Sequence, residues 1–205
     1  MPSRKNELEK EIEAINLILV FARECFQYCY YFYKPNTVEE EDYLKRSDDF
    51  DFLKHVLWRM TIIELSKLFC NSADRDKFNL YHFTNKFRKD GHYSKFSISE
   101  EKLKEWENKL EIARLSIENL LKIRDKVYAH TDKIKIDVNT WGLTTKEIEK
   151  LIEIAEDVIK EIYLTVFKSD VSMDTLIFSR EHFEVIKILA DVRRKSIDDT
   201  FRPDS

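Results

Sequence analysis

Arg124 and His130, six positions apart, form the most chemically suggestive pair in the chain. The arginine is a fixed cation whose planar fork of N–H donors matches a phosphate. Histidine is the one side chain with an ordinary pKa near neutrality, so it can take or give a proton. Together they suit phosphodiester chemistry. The imidazole takes the proton from a ribose 2′-hydroxyl or gives one to the leaving oxygen. The guanidinium stabilises the pentacoordinate phosphate. This chemistry requires no metal. Around the pair, Lys122, Arg124, Lys126, Lys133 and Lys135 outnumber Asp125 and Asp132, a local positive field in a chain of net charge −4.

The element that must position the pair is a long helix. Leu103, Trp106, Leu110, Ala113, Ile117 and Leu120 are spaced three and four apart, one apolar stripe down an amphipathic helix. The next slots are 124 and Val127, and Arg124 occupies the first of them. A guanidinium on a core-facing seam is costly unless it is paired or faces a wet cleft. On a regular helix, Arg124 and His130 stand roughly 240° apart, with a rise of about 9 Å between them. They cannot grip one phosphate from a straight helix. Either the helix ends or distorts before His130, or a second copy of the chain supplies the missing group. The plainer reading of Arg124 is a salt bridge to Asp125, Asp132 or an acid on another helix. That of His130 is a helix-end residue bonding the last carbonyls.

Other chemistries lack their residues. The only glycines are Gly91 and Gly142, so there is no glycine-rich phosphate loop. No His-Glu-x-x-His pair, repeated Glu-x-x-His or serine elbow occurs. No metal site and no cofactor is expected.

The 205 residues include only 2 Gly and 3 Pro, with 36% charged and 43% hydrophobic, which predicts few turns and long helices. Cys25, Cys29 and Cys70 show no zinc spacing and read as reduced core thiols of a cytoplasmic protein. The N-terminus has no signal-peptide pattern, and the apolar run Leu17 to Ala22 is too short to span a bilayer.

Along the chain, Ser3 caps a first helix with stripe Leu8, Ile12, Ile15, Leu19, Ala22, Phe26, Cys29 and Tyr33, stopped by Pro35. Residues 35–48 read as a flexible acidic linker. Asp48 or Asp49 caps a second helix carrying Phe52, Val56, Ile63 and Leu68. A short helix from Asn79 to Lys89 holds a basic cluster, Lys86, Arg88 and Lys89. Ser97 with Glu100 opens the long central helix, and Thr144 with Glu147 is a second capping box, opening a helix to about Lys168. A last helix carries Phe183, Ile186 and Leu189 and ends at Arg193-Arg194-Lys195, with a frayed tail from Ser196. The expected fold is an all-α bundle of four long helices plus one or two short ones, a single domain over residues 1–195.

The string Ile123-Arg124-Asp125-Lys126-Val127-Tyr128-Ala129-His130-Thr131-Asp132, at the end of a long helix, resembles the R-x4-6-H motif of the HEPN superfamily. Its fuller form is similar to the abortive-infection branch, as is Ile63-Glu64-Leu65-Ser66-Lys67-Leu68-Phe69 to that branch's second helix. The resemblance spans roughly residues 50–168. It implies a helical bundle that dimerises and, in many members, a metal-independent endoribonuclease of toxin–antitoxin, phage-defence or RNA-processing systems. The cleft then lies between protomers, so a second Arg124 and His130 would answer the geometric problem. Carried over, Arg124 and His130 are catalytic. Asp125, the polar residue after the arginine, orients a side chain. Asp132 is orienting or structural, with Tyr128 in the same string, and Lys122, Lys126 and Lys133 are candidate RNA-backbone contacts. The implied partners are a second copy, an RNA substrate and a possible antitoxin protein, with no membrane. The alternative is a non-catalytic HEPN-like dimeric module that binds a nucleotide or partner protein through the same cleft.

Overall fold

The computed structural model describes residues 3–71, 78–96, 98–129, 142–169 and 184–201. Among them are eight α-helices and no strand, so the chain is all-α as expected. The helices are α1 (Arg4–Tyr33), α2 (Val38–Leu44), α3 (Asp48–Phe69), α4 (Leu80–Asn85), α5 (Glu100–Ile112), α6 (Arg114–Ile123), α7 (Thr145–Ile162) and α8 (Glu184–Phe201). The chain divides into two compact units, the first drawn from residues 1–23 and 61–175, the second from 24–60 and 176–205.

The first unit holds most of the core. Ser3 Oγ accepts from Asn6 N–H at 3.3 Å, and the α1 stripe Leu8, Ile12, Ile15, Leu19 and Ala22 is buried. On α7, Ile148, Leu151, Ala155, Val158 and Ile162 are buried as the spacing predicts, and Ile152, Ile154 and Ile159 widen that face. The Thr144–Glu147 capping box forms in both directions. Lys102–Glu161 at 3.3 Å, Lys109–Asp157 at 2.9 Å and Ser116–Glu147 at 3.0 Å show that the α5–α6 rod runs antiparallel to α7. Arg23 Nη1 reaches Glu156 on α7 at 2.8 Å.

The long central helix is not continuous. Ser99, not Ser97, caps α5, its Oγ accepting from Lys102 N–H at 3.2 Å; Ser97 lies outside the described residues. At Ala113 the backbone leaves helical values (φ −86°, ψ 1°), which separates α5 from α6. Two cations of the basic cluster after α4 are paired, Lys86 with Glu11 and Arg88 with Glu107. The turn there needs Gly91, because a Cβ would stand 2.4 Å from the Lys86 carbonyl oxygen.

In the second unit α2 packs on α8 around Tyr31, Leu44 and Ile186. Several expectations change here. Residues 35–48 are not a plain linker, since they hold the helix α2. Thr37 caps it, and Glu39, Glu40 and Glu41 occupy the first turn, where the helix dipole favours acids. The α3 stripe turns away from Phe52 and Val56, which are exposed, toward Trp58, which is buried, as are Ile62 and Leu65 further along the helix. Ser47, one residue earlier than expected, accepts from Asp49 N–H at 3.2 Å. Finally, α8 runs past Ser196 to Phe201 and buries Ala190 rather than Leu189. Arg194 faces Glu39 at 3.8 Å instead of marking a helix end. Phe183 lies outside the described residues.

Candidate functional site

The central segment leaves α-helical geometry at the residue that the spacing marked as odd. After Ile123 the backbone widens into a π-helical turn, Arg124–Ala129. Such turns are rare and are frequent at functional sites. A distortion before His130 is one of the two alternatives that the helix geometry left open. The widening follows a change of slot. Ile117, Leu120 and Ile123 are buried, so Ile123 takes the core position that a strict three-four count gives to 124. Arg124 comes out at the rim, its side chain 26% exposed.

Arg124 Nε donates to Asp125 Oδ1 at 2.7 Å. This hydrogen-bonded carboxylate holds the guanidinium above its already high ordinary pKa. Partial burial works against it, and the Cys70 sulfur at the end of α3 is the next neighbour. The cation is therefore permanent, and Asp125 orients it. Asp125 itself is exposed, as are Lys122 and Lys126. Tyr128 lies in the same π turn. His130, Asp132 and Lys133 lie outside the described residues.

Cys70 was missed by spacing. It is not a core thiol, unlike the buried Cys25 and Cys29, of which Cys29 is pushed up to about 12 by burial. Only a contact across more than fifty residues brings Cys70 to Arg124, and no local signal in the sequence reports it. Ser116 at the start of α6 meets Glu147 beside the capped N-terminus of α7, roughly two turns before Arg124. Lys122, Arg124 and Lys126 bring three cations together at the other end of α6. An anion is the ligand such an arrangement favours. Among the described residues there is no cluster of three or more His, Cys, Asp or Glu able to hold a metal ion. No helix among them is long and apolar enough to cross a membrane.

The family model HEPN_AbiU2 (AbiU2) matches residues 5–184. No curated protein and no solved structure matches the chain.

Proposed function

The chain belongs to the AbiU2 family of HEPN-like abortive-infection proteins, and from that premise we propose that it is a metal-independent endoribonuclease acting as a homodimer in phage defence or a toxin–antitoxin system. The observation that carries the reading is Arg124, a fixed cation set at the rim of the core by a π turn and oriented by Asp125. In the proposed reaction His130 takes the proton of a ribose 2′-hydroxyl. The 2′-oxygen bonds to phosphorus as the bond to the 5′-oxygen breaks, and that oxygen leaves with a proton. Arg124 stabilises the extra negative charge on the phosphoryl oxygens in between. Lys122, Lys126 and Lys133 hold the strand's neighbouring phosphates. Asp132 and Tyr128 take orienting or structural roles. Two chains each bring one copy of this set to a shared cleft.

One observation favours the second reading, a non-catalytic dimeric module that binds a nucleotide or a partner protein. Arg124 already holds a carboxylate of its own chain, and Lys122 and Lys126 stand where cations stabilise a helix C-terminus. The test is incubation of the full chain with mixed RNA in EDTA. The nuclease cuts, and Arg124→Ala and His130→Ala each abolish cutting while helicity and dimer mass persist. A folded wild type that leaves RNA intact and binds nucleotide or protein replaces the nuclease with the module.

A further inference from the structure

Between Thr61 and Cys70, α3 and its last turn are buried almost all round. Ile63, Lys67 and Cys70 are the partly exposed residues of this stretch, and the others are buried. Cys70 N–H donates to the Ser66 carbonyl at 2.9 Å, so the helical turn continues through it. Spacings of four and three then put Ile63, Lys67 and Cys70 on one line along the helix. The line ends at the Cys70 sulfur, beside the Arg124 guanidinium. Lys67 is thus one helical step from the candidate cleft, on the only open strip that this half of α3 has.

Its ammonium is held rather than loose. Lys67 Nζ donates to both carboxylate oxygens of Glu64, at 2.6 and 2.7 Å. The glutamate side chain is 10% exposed and the lysine side chain 44%, so a buried acid anchors a cation that reaches the surface. An ammonium has three donors, of which this pairing engages two. A donor fixed before its ligand arrives gives up less side-chain freedom on binding than a lysine waving in solvent. The arrangement repeats the one at Arg124, where a carboxylate of the same chain sets the direction of a cation.

We propose that Lys67, positioned by Glu64, is a phosphate-backbone contact of the Arg124 cleft that holds the phosphate next to the one Arg124 engages. This rests on reading Arg124 as phosphate-binding, and it adds α3 to the strand-binding surface. The probe is a short, fluorescein-labelled single-stranded 2′-O-methyl RNA, which has no 2′-hydroxyl to attack. Its anisotropy is followed with the full chain in EDTA over a range of salt. Lys67→Ala is expected to weaken binding about five- to tenfold and to lower the salt slope by about one. Lys67→Arg, which keeps the charge, restores most of the affinity. Lys104→Ala, an exposed lysine on α5 some twenty residues before Arg124, leaves it unchanged. Lys67→Gln keeps a donor for Glu64 and removes the charge, and it gives the same weakening if the alanine variant does not fold. Wild-type affinity in Lys67→Ala and Lys67→Gln, with weakened binding in Arg124→Ala, overturns the assignment of Lys67 and leaves the site reading in place. An affinity that neither Lys67→Ala nor Arg124→Ala changes, or a wild type with no affinity, overturns both.

Discussion

A guanidinium bonded to the carboxylate of the very next residue gains little stability, because Asp125 is more than half exposed. Its value is in direction. Arg124→Ala should therefore change unfolding free energy in urea by no more than about 1 kcal/mol, while RNA cleavage falls at least about a hundredfold. A large stability loss with cleavage intact would make Arg124 a structural residue. Arg23 is the opposite case. It is buried and paired with Glu156, while its Nε and Nη2 have no partner among the described residues. Arg23→Ala leaves the half-buried Glu156 with only Lys160, at 3.7 Å, so it should cost about 1 to 3 kcal/mol. The double variant Arg23→Met, Glu156→Leu should recover most of that loss, since it strands no charge. Chemical denaturation of the three chains checks both statements.

At the scale of elements, what the sequence made legible was local. Thr144 and Glu147 are three residues apart, and both bonds of their capping box follow from that spacing. The Thr144 N–H, the Thr144 hydroxyl and the Ser116 hydroxyl outweigh burial and keep the Glu147 carboxyl below the ordinary glutamate range. The sign follows directly. A carboxyl lowered in the folded state stabilises fully above its unfolded value, and the stabilisation is lost as pH falls through the folded value. Glu147→Ala should cost about 1 kcal/mol at neutral pH, and the gap to wild type should close from about pH 4 downward. Gly91→Ala should cost about 1 to 3 kcal/mol, read from thermal melts, because the Lys86 carbonyl it would strike belongs to a packed turn. The stripes of α1 and α7 were legible for the same local reason. Glu39, Glu40 and Glu41 read as solvated linker because acids in a helix's first turn look the same in sequence. Phe52 and Val56 misled because α3 carries apolar residues on more than one side, and Trp58 with its followers took the core. The π turn has no residue signature, and the approach of Cys70 to Arg124 depends on how distant helices pack.

For the whole molecule, the balance of charge and the division of the chain matter most. A net charge of −4 opposes RNA at a distance, so association rests on the short-range field around Arg124 and should weaken steeply with salt. Both α1 and α3 contribute residues to each compact unit. Unfolding should accordingly be one transition, with equal calorimetric and van't Hoff enthalpies; two resolved peaks would show that the units melt separately. The division also sets an order of events on the ribosome. By residue 175 the first unit has been made in full, while the second still lacks Ile186, the part of its small core that α8 brings. Synthesis must pass Ile186 before Tyr31 and Leu44 are covered. A chain cut between residues 175 and 186 would therefore have one finished core and one left open.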